Sequence, residues 1–251
     1  MVSATTIAFE GQGGDSLEAF FAVPEEAVRD GAAVLLVHEV YGLDAHMREL
    51  ARRFAAEGYP TLVPDLYGRE GLPGPASTEA DPAPAWELET IRAAVAGLPD
   101  RRSLADLDAA LAWLGKQDDV DPRSIAVVGF CMGGTLAFLS GCTSTRVGAV
   151  VDFYGGPLYR ELSANKPTQP IELHLNLDRP FLGLFGGEDA HIPAEHVELL
   201  RERLSMAGKD HEIVVYPGAG HGFFNDARAH FAPDAAADAW GRVLAFLGEN
   251  L

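Results

Sequence analysis

The 251 residues carry 37 Asp and Glu against 19 Lys and Arg, a formal net charge of −18 with histidine neutral. No Lys/Arg cluster exceeds a pair such as Arg52-Arg53 or Arg101-Arg102, so the surface repels a polyphosphate and nucleic acid is not an expected partner. At 47% hydrophobic and 22% charged the chain reads as globular, able to bury roughly 70% of the surface its unfolded form exposes, and one domain over residues 1–251 is expected.

The first residues, Met1-Val2-Ser3-Ala4-Thr5-Thr6, offer neither a basic stretch nor a continuous apolar one, so no export signal is read and a cytoplasmic protein is expected. Two strand-like segments, around Thr6–Phe9 and Leu17–Val23, follow each other without a helix and predict an antiparallel hairpin at a sheet edge. Short apolar, β-branched runs then recur at Ala33–His38, Thr61–Pro64, Ile125–Gly129, Val147–Tyr154, Phe181–Gly186 and Glu212–Pro217, each bounded by Gly, Pro or polar residues. Helical patterns alternate with them. The clearest runs from Asp44 to Glu57, where Met47, Leu50, Ala51, Phe54 and Ala55 form one apolar face, Asp44 is the N-cap and Gly58 the stop. Others cover Ser103–Gly115, Met132–Ser140, Pro193–Met206 and Asp234–Leu247. The alternation predicts an α/β fold, a mostly parallel sheet with helices on both faces. Residues 68–84, rich in Gly and Pro, break it and are read as a loop, a possible rim over a pocket.

The 22 uncharged residues between Arg123 and Arg146 are long enough to cross a bilayer. Glycines interrupt them, and β-branched residues give way to helix formers, so they are read as a buried strand, turn and helix, and no membrane association is expected. Cys131 and Cys142, the two cysteines, would stand about 15 Å apart on a helix, too far for a disulfide. Both are expected as free thiols.

The chemistry concentrates at Gly129-Phe130-Cys131-Met132-Gly133-Gly134, between a predicted strand and a predicted helix. This is the nucleophile elbow G-x-S-x-G with cysteine in place of serine. A nucleophile on so sharp a turn brings backbone segments together, and only glycine fits two positions to either side. The helix N-terminus beyond favours a thiolate. A base and an acid must then come from later strand ends. Gly187-Glu188-Asp189 follows Phe181–Gly186, and Gly218-Ala219-Gly220-His221-Gly222 follows Glu212–Pro217, in the required order. His221 is the expected general base. The remaining histidines show no metal-ligand spacing, so no metal or other cofactor is expected. Glu39, in His38-Glu39-Val40-Tyr41-Gly42, ends the strand whose following loop supplies an oxyanion N–H in this architecture.

Together, His38–Leu43, Gly58-Tyr59, Pro64–Tyr67, Gly129–Gly134, Gly186–Asp189 and Gly220–Phe223 resemble the dienelactone hydrolase family over nearly the whole chain. The resemblance implies the α/β-hydrolase fold without a large cap domain. It implies a triad of Cys131, Asp189 and His221, with Glu39 as a further carboxylate that helps to generate the thiolate. The backbone N–H groups of Met132 and Val40 would be the oxyanion donors, and the activity would be hydrolysis of a small ester or lactone through a thioester. Members of the family hold a substrate carboxylate with arginines, one of them four residues after the histidine. Here that position is Asn225, leaving Arg228, Arg92 and Arg101 as candidates, with Tyr154 as a candidate pocket residue. A non-catalytic small-molecule binder, or a redox-sensing thiol protein on the same fold, is the alternative.

Overall fold

Runs without charged residues become strands buried along their whole length: β3 (Ala33–Val37), β4 (Thr61–Pro64), β5 (Ile125–Phe130) and β7 (Phe181–Gly186). β6 (Ala149–Phe153) is equally buried and includes one acid, Asp152. Strands covered on both faces read as continuous apolar sequence, which is why simple alternation is missing from them. β1 (Val2–Glu10), β2 (Ser16–Pro24) and β8 (His211–Tyr216) complete the sheet, and β1 and β8 at its edges are partly exposed. The computed structural model describes residues 1–25, 31–68 and 88–251, apart from the side chains of Leu88, Ile91 and Arg92. Within them the strand order is β1-β2-β4-β3-β5-β6-β7-β8. β1 and β2 form the expected antiparallel hairpin, β2 pairs antiparallel with β4, and every pair from β4 to β8 is parallel.

The helix after β3, α1 (Ala45–Ala56), begins where Asp44 accepts the Met47 N–H at 3.0 Å and buries Met47, Leu50, Ala51, Phe54 and Ala55. It ends at Gly58, which has a φ of 99°. Two helices precede β5. The first, α2 (Leu88–Gly97), was not expected from the sequence, and the second, α3 (Asp100–Leu114), starts three residues before the predicted Ser103. α4 (Met132–Thr143), α5 (Ala194–Met206) and α6 (Pro233–Asn250) follow β5, β7 and β8. α1 meets α6 where Phe54 packs on Trp240 with ring centroids 4.7 Å apart, while α3 packs on α4. The connection from β6 to β7 is a long crossing with a 3-10 turn at Pro170–Asn176. Pro157, Pro167 and Pro170 deny it an α-helix.

That crossing is fastened to the start of α3. The buried Lys166 ammonium lies 2.5 Å from the Asp100 carboxylate, whose other oxygen accepts the Tyr159 hydroxyl at 2.9 Å. The Asp100 N–H donates to the Asn165 carbonyl at 2.9 Å. Most of the expected Gly/Pro-rich rim, residues 69–84, lies outside the described residues.

Candidate active site

The parallel strands β5 to β8 point their C-terminal ends the same way, so the segments leaving four neighbouring strands gather at one end of the sheet. Cys131 leaves β5 at the turn into α4, half-buried, with φ 55° and ψ −119°. A non-glycine residue in that region is strained by about 1–3 kcal/mol, which the surrounding structure must hold. Part of the hold is the Cys131 N–H, which donates to the Phe153 carbonyl at 2.9 Å. The rest is steric: a Cβ on Gly129 would collide with the Gly133 carbonyl, and one on Gly133 with the Val37 and His38 carbonyls.

The Cys131 Sγ lies 3.1 Å from His221 Nε2, and His221 Nδ1 lies 2.7 Å from Asp189 Oδ2. Asp189 Oδ1 accepts the N–H groups of His191 and Ile192 at 2.7 and 3.0 Å. Burial would raise the Asp189 pKa, but the bond and charge of His221 and these two N–H groups hold its carboxyl below the usual range. His221 moves the other way. Burial opposes its protonation, yet the Cys131 sulfur and the Asp189 carboxylate outweigh that and push its pKa up to about 11. His221 thus has a sulfur at one ring nitrogen and a carboxylate at the other.

Glu39, at the end of β3, is buried and has one donor on each oxygen. The Tyr154 hydroxyl donates to Oε1 at 3.1 Å and the Asn225 amide to Oε2 at 2.8 Å. Asn225 thus fills the position noted in the sequence with a neutral donor. His38 next to it is fully buried: its Nε2 accepts the Leu66 N–H at 3.1 Å, so Nδ1 carries the proton and donates to the Glu39 carbonyl at 2.7 Å. Burial lowers its pKa, and this neutral tautomer fixes the loop that carries Val40. Neither the Val40 nor the Met132 N–H is engaged in a backbone hydrogen bond among the described residues.

The remaining candidates are distributed differently. Tyr154, read from the sequence as a pocket residue, is fully buried with its ring edge-on to His221 at 5.1 Å. It is a support beneath the site and offers no surface to a substrate. Arg228 stacks over Tyr41 with Cζ 3.7 Å from the ring centroid, and its buried Nε and Nη2 have no hydrogen-bond partner among the described residues. Arg101 lies exposed on α3, and Arg92 belongs to α2 with its side chain outside the described residues. The Tyr67 hydroxyl, which the sequence did not single out, donates to the Met132 sulfur at 3.4 Å. Asp152 was also missed, although an acid inside the apolar run Ala149–Phe153 was a legible signal. Cys142 is a free thiol in α4 whose pKa burial pushes up to about 12. The described residues contain no cluster of His, Cys, Asp and Glu suited to a metal ion, and no helix among them is long and apolar enough to cross a membrane.

The family model of the dienelactone hydrolases matches residues 17–251. A candidate carboxymethylenebutenolidase of Salmonella typhimurium is 37% identical over 94% of this chain and 84% of its own length. A candidate 2-oxo-3-(5-oxofuran-2-ylidene)propanoate lactonase of a Bradyrhizobium species is 30% identical over 96% of this chain and 92% of its own. The crystal structure of a candidate dienelactone hydrolase from Klebsiella pneumoniae superposes with a TM-score of 0.89 at 35% identity and covers 99% of both chains. With its mostly parallel sheet, the chain has the α/β-hydrolase fold, belongs to the dienelactone hydrolase family and is a hydrolase of that kind.

Proposed function

We propose that this hydrolase opens a small lactone, or cleaves a small ester, by cysteine catalysis through a thioester. The Cys131 thiolate, its proton held by His221, attacks the carbonyl carbon and forms the S–C bond. The developing oxyanion takes the free N–H groups of Val40 and Met132. As the C–O bond breaks, the His221 imidazolium gives its proton to the departing alkoxide, leaving an acyl group on sulfur. His221, oriented by Asp189, then takes a proton from water. The hydroxide attacks the thioester, the C–S bond breaks, and carboxylic acid and thiolate are released. The observation that carries this reading is the continuous contact from sulfur through imidazole to carboxylate, 3.1 and 2.7 Å.

The substrate is a lactone that bears a carboxylate. Arg228 stacks on Tyr41 with Nε and Nη2 out of solvent and without a hydrogen-bond partner among the described residues; it offers these donors to a carboxylate once its side chain leaves that stack, and the name of the Bradyrhizobium relative specifies an oxofuranylidene propanoate. Glu39, with both oxygens engaged by Tyr154 and Asn225, orders the loop between β3 and Val40 and is released toward the thiol only if substrate draws these donors away.

The test compares wild type with Cys131→Ala on an activated ester and on unsaturated lactones with and without a carboxylate. Hydrolysis is expected to fall by roughly 10³-fold or more in the variant. Arg228→Met is expected to raise KM for the carboxylated lactone alone. Wild-type turnover by Cys131→Ala would overturn the mechanism, and a reactive Cys131 with no turnover of any ester or lactone would favour the redox-sensing thiol.

A further inference from the structure

One buried acid takes no part in this chemistry. Asp152 is 2% exposed, on β6 directly beneath the elbow. Its neighbours in register are Gly129 on β5 and Gly183 on β7, so no side chain crowds it from either strand. Its Oδ1 fills the space against Gly134 of α4 and Gly155, where a Cβ on either glycine would collide with it. That oxygen accepts the Gly155 N–H at 2.7 Å and closes a turn over Phe153 and Tyr154.

Both central residues of this turn serve the site. The Phe153 carbonyl receives the Cys131 N–H, and Tyr154, held at φ 44°, donates to Glu39 and lies edge-on to His221. The turn alone does not explain an acid. An asparagine amide oxygen would accept the same N–H without burying a charge, and a buried carboxylate with so few partners is the costly choice. The surplus is the negative charge itself.

We propose that Asp152 is a positioning residue for this hydrolase, whose carboxylate closes the 152–155 turn and sets a negative charge beneath the Cys131–His221 pair. This rests on the reading of Cys131 as nucleophile. Among the described residues, His221 is the charged group whose field reaches Asp152, while β5 and β7 set Gly129 and Gly183 beside it and Gly134 of α4 lies against its Oδ1. Burial pushes the Asp152 pKa up to about 7, against the Gly155 N–H and the His221 charge. Its charge therefore varies across neutral pH.

The sign of the effect is fixed. Removing a negative charge makes proton loss easier for every neighbouring group, so the pH dependence of Cys131 and His221 moves to lower pH. Asp152→Asn keeps the acceptor for Gly155 and removes the charge. Alkylation of Cys131 by iodoacetamide, located by mass spectrometry and followed from pH 5 to 10, is expected to shift down by about half a unit. The melting temperature is expected to stay at or above that of wild type. Asp152→Ser, a smaller acceptor, is expected to shift the same way and serves if the first variant does not fold. Superimposable profiles would overturn the proposal, because a purely structural role leaves them unmoved. Alkylation requires no substrate, so wild type that cleaves no lactone or ester would refute the proposed function while the profiles still decide the role of Asp152.

Discussion

Gly133→Ala puts one methyl group where β3, β5 and α4 converge. The added Cβ would stand 2.6 Å from the His38 carbonyl oxygen and 2.7 Å from the Val37 carbonyl carbon, against an ordinary C···O contact of about 3.3 Å. These are backbone atoms, and Val37 is fixed in the parallel ladder opposite Gly129, so nothing can yield as a side-chain tip would. Relief requires the end of β3 and the first turn of α4 to separate by roughly 1 Å. Overpacking of this kind costs about 1–3 kcal/mol, which lowers the melting temperature by roughly 2–12 °C for a chain of this length. Activity is expected to suffer more. The same displacement separates Val40 from Met132, and misplacement by about 1 Å in a reacting geometry costs on the order of 10² in rate. Thermal unfolding and hydrolysis of an activated ester measure the two effects. Gly241→Ala on α6 is the control, because a Cβ there meets nothing within 4 Å. Wild-type melting and wild-type turnover in Gly133→Ala would refute the steric account of the elbow.

Lys166→Met leaves the buried Asp100 carboxylate with the Tyr159 hydroxyl and no cation. A loss of about 3–5 kcal/mol is expected in chemical denaturation, and a loss under 1 kcal/mol would show that the pair is not holding the β6–β7 crossing. The His221 pKa, raised from an ordinary 6.5 to about 11, gives stability that is fully present below about 6.5 and is lost as pH rises toward 11. The melting temperature is therefore expected to fall from pH 7 to 10 in wild type and less steeply in Cys131→Ala. Parallel curves would contradict the contact between sulfur and imidazole as the cause.

Local rules made the elbow legible. Glycines two positions to either side of Cys131 answer to collisions within a few residues or with the next strand, and Asp44 caps the helix it precedes. The order of Cys131, Asp189 and His221 along the chain was readable because parallel strands return their ends to one place. Partnerships made across the chain were not readable. Asn225 binds Glu39 from 186 residues away, and Asp100 is drawn into the first turn of α3 by Lys166, 66 residues later, so the helix starts before the predicted Ser103. α2 was missed beside a Gly/Pro-rich stretch that dominated the local composition. Tyr154 looked like a pocket aromatic because nothing in Phe153-Tyr154-Gly155-Gly156 reveals a left-handed φ that turns the ring inward.

The parallel run from β4 to β8 also separates the molecule into two poles. Cys131, Asp189 and His221 sit where strands finish, whereas Leu251 approaches Gly148, just ahead of the start of β6. A tether at Leu251 therefore holds the protein by its far pole. An enzyme immobilised there on a support or an electrode would present its reactive pole to the solution, and fusion partners attached there would leave the approach of a small lactone unobstructed.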